Sequence, residues 1–160
     1  SDVCSSDLAS YDPERQVREA AIDALARIGG GRAFSFIAGM LEDAKAASMY
    51  RAKALAVIVT SGDASSRKRA MDVFDKAALD KDRNLFQALA RAVLVLDGTE
   101  AAAYAERLLA DSDYTSRLAA LAWVERNKYK GLAGVVKNLS ETDPVPAVKK
   151  RAAETLGRLN

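Results

Sequence analysis

Asp12-Pro13-Glu14-Arg15-Gln16-Val17-Arg18-Glu19-Ala20-Ala21-Ile22-Asp23-Ala24-Leu25-Ala26-Arg27-Ile28-Gly29 is the stretch that decides the fold. Val17, Ala21, Ala24, Leu25 and Ile28 fall at i, i+4, i+7, i+8 and i+11, an apolar stripe of helical period that starts five residues after Asp12-Pro13. The same stripe returns as Val148, Ala152, Thr155, Leu156 and Leu159, again five residues after an Asp-Pro pair, Asp143-Pro144. A motif that recurs with its start signal and apolar face marks an internal repeat.

Between these ends the pattern fits three more times. Leu85, Leu89, Ala92, Val93 and Leu96 match every position. Tyr50, Ala54, Val57, Ile58 and Ser61 end on a polar residue, and Ser116, Ala120, Trp123, Val124 and Asn127 match at the three central positions. The first members sit at 17, 50, 85, 116 and 148, so the period is 31 to 35 residues, the length of a helical hairpin. Second helices with a narrower stripe, i, i+3, i+4, i+7, fill the gaps: Phe34 to Leu41, Ala70 to Ala77, Ala101 to Leu108 and Leu132 to Leu139. The expectation is nine helices alternating between an A type and a B type, four and a half hairpins.

Boundary signals agree with this division. Asp12 and Asp143 are expected N-caps with Pro13 and Pro144 in the first turn, and Ser65 or Ser66 and Thr99 are expected to cap the second and third B helices. Gly29 to Gly31, Gly62 and Gly98 follow A helices, where a left-handed residue closes the last turn. Only three prolines occur, and no run alternates as a strand does. No uninterrupted apolar stretch approaches the ~18 residues of a membrane span.

Asp12-Pro13-Glu14-Arg15-Gln16-Val17-Arg18-Glu19-Ala20-Ala21, followed by Ala24-Leu25 and Ile28-Gly29, resembles the HEAT repeat, and more narrowly the short HEAT-like repeats of phycobilisome lyases. The resemblance covers 9–160, strongly in the first and fifth repeats and more weakly between them. It implies an all-α, right-handed alpha-alpha superhelix of the HEAT/armadillo type, with A helices on the convex side. A protein partner is then expected along the concave B-helix face. Gln87 or Phe86 stands where the family carries arginine, and Ser116 replaces the valine. The family also implies a ladder in which Arg18, Arg51, Arg117 and Lys149 bridge to Asp12, Asp43, Asp111 and Asp143 of neighbouring repeats.

The ends carry two expectations. Ser1-Asp2-Val3-Cys4-Ser5-Ser6-Asp7-Leu8 resembles a translated sequencing adapter, so 1–8 are expected to be non-native and 9–160 a single solenoid cut from a longer array. Setting 1–8 aside removes Cys4, the only cysteine, and moves the formal charge from +2 to +4. At the far end Val148, Ala152, Leu156 and Leu159 are expected to form an exposed apolar strip, since no B helix follows to cover them.

Chemistry is argued down by what is missing. The chain has no histidine, and Gly29-Gly30-Gly31 follows a helix without the Gly-Lys-Ser/Thr ending of a phosphate loop. Neither a catalytic residue nor a cofactor or metal site is expected. Lys68, Asp72 and Lys76 fall at i, i+4 and i+8 and are expected to pair along one exposed face. Trp123, Phe34, Phe74 and Tyr104 are expected in the core, and Tyr11, Tyr114 and Tyr129 near loops.

From Arg117 onward nine basic residues face four acidic ones, whereas the preceding native part is nearly neutral. Lys128, Lys130, Lys137, Lys149, Lys150 and Arg151 are therefore the candidate partner-binding patch. Three readings follow: a scaffold that binds another protein without catalysis, a nucleic-acid-binding protein similar to the alkylpurine DNA glycosylases, and a subunit similar to the phycobilin lyases. Phosphate contacts make the second salt-dependent, and fold-level analogy alone supports the third.

Overall fold

The computed structural model describes residues 13–79 and 82–159, which form helices joined by short turns. In chain order the helices are α1 (Pro13–Ile28), α2 (Gly30–Glu42), α3 (Ser48–Ser61), α4 (Ala64–Leu79), α5 (Arg83–Leu94), α6 (Ala102–Leu109), α7 (Tyr114–Arg126), α8 (Ala133–Thr142) and α9 (Pro146–Leu159). One turn of 3-10 helix, Lys130–Leu132, leads into α8. Among the described residues these nine helices fall where the two alternating stripes place them, and no strand occurs. Ser1 to Leu8 (Cys4 among them), Tyr11 and Asp12 lie outside them.

Packing follows chain order. Each helix contacts those one or two places away, so α1, α3, α5, α7 and α9 form one series, with α2 against α4 and α6 against α8. Phe74 of α4 joins the even helices through Tyr104 of α6, edge-on at 5.2 Å, and also meets Phe86 of α5 at 5.3 Å with the rings tilted by 52°. Such aromatic pairs add about 1 kcal/mol each beyond the area they bury. A continuous apolar core runs from Ile22 to Leu159 and includes Trp123, Phe34, Phe74 and Tyr104, as expected.

Several boundaries differ from expectation for local reasons. Asp63, not Ser65 or Ser66, caps α4, because its carboxylate accepts the Ser66 N–H at 2.8 Å. α9 starts at Pro146 and not at Pro144, since Asp143 closes a turn by accepting the Val145 N–H at 2.8 Å. Thr99 lies two residues upstream of Ala101, the residue that enters α6. Gly29 (φ 67°) and Gly30 (φ 79°) turn the chain between α1 and α2 in the left-handed region, where L side chains are strained.

The ends of the array differ, and the difference assigns the faces of the odd helices. Ala54, Leu89, Ala120 and Ala152 occupy one repeat position and are all buried, whereas the equivalent Ala21 is exposed. The next position is buried in the first four helices, as Ile22, Leu55, Ala90 and Leu121, and exposed in the last, as Ala153. The first set thus faces the preceding hairpin and the second the following one. The expected apolar strip on α9 is consequently wrong: Val148 and Ala152 are fully buried, Leu159 is 4% exposed and Leu156 is half-buried against the core. Preceding helices cover it. The stripe assigned to α1 fails in the opposite sense, with Val17 68% and Ile28 76% exposed, and Ile22 is the residue α1 buries completely.

Candidate functional site

Among the described residues seven hydrogen-bonded ion pairs join neighbouring hairpins, and each spans 26 to 33 residues, about one repeat. In six of them helix ends or exposed flanks meet: Asp23 with Lys53, Glu42 with Arg69, Asp75 with Arg107, Arg83 with Asp111, Asp97 with Arg126 and Glu125 with Arg158. The seventh, Arg117 with Asp143, is buried. Arg117 Nε donates to Asp143 Oδ2 at 2.8 Å and Nη2 to Oδ1 at 3.1 Å, while Nη1 donates to the Asp111 and Ser112 carbonyls. Burial pushes the Asp143 carboxyl up, but the hydrogen bonds from Arg117 and the Val145 N–H, with the charge of Arg117, hold it below its ordinary value.

The ladder is therefore narrower than the resemblance implied. Asp12 lies outside the described residues, and of the expected rungs among those residues Arg117–Asp143 forms. Asp111 is taken by Arg83, at 3.0 Å, and not by a residue at the arginine position, which is Phe86 here. Arg83 sits one turn earlier and lays its guanidinium over the Phe86 ring, 4.6 Å from the centroid, so the cation is displaced and not lost. Arg51 donates instead to the Leu41 carbonyl at the end of α2, and Arg18 stacks over Tyr50. Asp43 accepts the Lys45 N–H, and Lys149 acts on Asp143 only through its charge.

The basic residues of the C-terminal quarter divide into two groups. Arg151 Nη2 reaches Glu125 at 2.9 Å, Lys128 donates to the Arg158 carbonyl at the end of α9, and both are thereby structural. Lys130, Lys137, Lys149 and Lys150 are exposed and form no ion pair with the described residues. Hydrogen bonding from Arg158 and the charges around it lower the Glu125 carboxyl, which ties α7 to α9. Sequence spacing missed this acid, because its two cations lie 26 and 33 residues away.

The even helices share a second surface. Phe36, Asp72, Ala103 and Gly134 occupy one repeat position on α2, α4, α6 and α8 and are exposed in all four. Phe36 is 70% exposed and, with Met40, walls an open hollow of about 600 Å³ over Gly39, bounded by Arg32, Ser35 and Asp43. Beside it a cleft of about 460 Å³ is lined by Glu42, Arg51, Arg69, Asp72, Lys76 and Asp82. Arg69 crosses between them, clamping Glu42 through two N–H donors at 2.7 and 2.6 Å and reaching Ser35. That clamp lowers the Glu42 carboxyl and raises the Arg69 guanidinium.

The expected pairing of Lys68, Asp72 and Lys76 does not form. All three are exposed, and neither lysine comes within ion-pair distance of Asp72, since long side chains in water gain little from such contacts. Among the described residues no cluster of acids is arranged to hold a metal ion, and no helix is long and apolar enough to cross a membrane. Trp123 is buried with its Nε1 donating to the Leu96 carbonyl at 2.8 Å, Tyr129 packs beside it, and Tyr114 is 47% exposed. The chain matches no protein-family model, and no curated protein is similar to it.

Proposed function

We propose that the chain is a HEAT-like solenoid module, a right-handed superhelix that acts as a scaffold and binds a protein partner along the B-helix face without catalysis of its own. The observation that carries this reading is the ion-pair spacing: each of the seven hydrogen-bonded ion pairs between hairpins spans about one repeat, as expected of a stack of equivalent units. The hollow beside Phe36 and Met40 gives the B face an apolar anchor site with charged neighbours, the composition of a small protein-binding surface.

A phage-displayed peptide library panned on the chain tests it. Enriched peptides are expected to lose binding to Phe36→Asp and to keep it with Lys150→Glu. A turnover abolished by one point substitution, or peptides indifferent to Phe36, would overturn the reading. A second reading, contact with a nucleic-acid backbone, is favoured by the unpaired Lys130, Lys137, Lys149 and Lys150. Duplex affinity measured at two salt concentrations decides it, because phosphate contacts weaken steeply with salt.

A further inference from the structure

We propose that the B-helix face takes an extended acidic peptide, held by a row of cations at the starts of the even helices, Arg32, Lys68 and Lys130, a partner class that rests on the scaffold reading above. These residues lie one turn before Phe36, Asp72 and Gly134, so with Thr99, one turn before Ala103, they hold a single repeat position. All four are exposed. Lys68 and Thr99 are exposed with even helices packed on both sides, so the exposure belongs to the position and not to either end of the chain. Arg32, Lys68 and Lys130 have neither an ion pair nor a side-chain hydrogen bond among the described residues.

Folding does not call for cations at this place. The start of a helix is the positive end of its dipole, which favours acids there and disfavours bases. Yet none of α2, α4, α6 and α8 has an acid in its first turn, and α2, α6 and α8 lack a side-chain cap. The edge is thus positive in side chains and backbone alike, with Asp63, the cap of α4, set into it. An acidic partner supplies the missing charge.

Spacing selects the form of that partner. Packed helices lie ~8 to 10 Å apart, so the row offers a cation about every 9 Å, with one place left vacant at Thr99. A polyproline II peptide returns to the same face every third residue, after about 9 Å, whereas a β-strand returns after about 7 Å. The expected peptide carries an acid, a second about three residues on and a third about six residues beyond that. One turn further along the helices, Phe36, Ala103 and Gly134 are uncharged and receive its other side chains. A nucleic acid fits less well, because a duplex carries a charge about every 1.7 Å and Asp72 and Glu106 on the same face repel it.

A phage-displayed library of random peptides, panned in parallel on the wild-type chain and on Lys68→Glu/Lys130→Glu, tests the proposal. Wild type is expected to enrich acids at this spacing, and the double variant to enrich lysine or arginine at the two places that meet 68 and 130. Thr99→Lys, which fills the vacant place, is expected to bind a wild-type peptide with one acid added there about threefold more tightly, read by fluorescence anisotropy. Peptides that need Phe36 but carry no acidic pattern, or the same peptides on both chains, overturn the acidic partner and leave the scaffold reading standing. No enrichment on either chain overturns both. Displacement of the peptides by a short DNA duplex at equal charge concentration makes the row a general polyanion site and overturns the peptide.

Discussion

Arg117 and Asp143, 26 residues apart, meet in the buried seam between α7 and α9 through two parallel N–H···O bonds. The side chains are 8% and 1% exposed, so neither charge has water to fall back on. Asp143→Ala leaves a buried guanidinium without its anion and is expected to cost about 3 kcal/mol. Replacing both partners, Arg117→Met with Asp143→Leu, is expected to recover most of that loss. Urea denaturation of the three variants gives the answer, and a single variant within 0.5 kcal/mol of wild type (about the spread of surface substitutions) would show the pair to be dispensable.

Acid should unfold the array, and the sign follows from the carboxyls. For Asp143 and Asp111 burial acts upward, but hydrogen bonds from Arg117 and Arg83 outweigh it, and Glu42 is lowered by Arg69. A carboxyl lowered on folding contributes stability above its unfolded value of about 4, and that contribution is lost as pH falls through the folded value. With no histidine to titrate, the melting temperature is expected to be level from pH ~5 to ~8 and to drop below pH ~4. Asp143→Asn is expected to start lower and to drop less steeply. A parallel acid limb in that variant would remove Asp143 from the explanation.

Trp123, the only tryptophan, is fully buried and donates to the Leu96 carbonyl at 2.8 Å. Its fluorescence is expected to be blue-shifted in the native state and to move red on unfolding, which makes it a probe of the α5–α7 seam. Trp123→Phe removes ring volume and one of two donors to the Leu96 carbonyl, leaving only Arg126, at a cost of about 2 kcal/mol.

Gly98 holds φ at 95° just before α6, and its N–H donates to the Asn127 side chain. A Cβ there would lie 2.5 Å from the Glu100 carboxylate. Gly98→Ala is expected to destabilise by about 1 to 2 kcal/mol, mostly through backbone strain. Gly134→Ala is the control, since nothing lies within 4 Å of its added Cβ, and is expected to be neutral or slightly stabilising because alanine is the better helix former.

Phe36→Asp should leave stability nearly unchanged, within ~0.5 kcal/mol, because the ring packs against little. Phe74→Ala, one helix away, removes a fully buried ring that touches both Phe86 and Tyr104 and should cost about 3 to 5 kcal/mol. Comparable losses in the two variants would mean that the hollow beside Phe36 is part of the core.

Helix positions were legible in the sequence because backbone hydrogen bonds and an apolar stripe are properties of one helix. Caps were less so: Asp63 outcompetes Ser66 for α4, a choice between neighbours set by a single N–H···O bond. The candidate basic patch was a statement of composition, and it divided once Glu125 claimed Arg151 and Arg158. Phe36 and Met40 fall outside the i, i+3, i+4, i+7 stripe that starts at Phe34, which set them apart from the buried Phe34 and Ile37, but that the exposed Phe36 and half-buried Met40 wall a hollow came only from the tertiary structure.

The repeated stripe by itself determined that the chain is helical, where each helix lies and the period at which ion pairs recur. It did not determine which copies of that stripe are covered. Val17 and Val148 hold the same place in the same motif, one exposed and one fully buried, because burial depends on the preceding hairpin and not on the helix that carries the residue. Only the tertiary structure decided that Arg83 replaces the missing arginine beside Phe86, and that Asp143 serves Arg117.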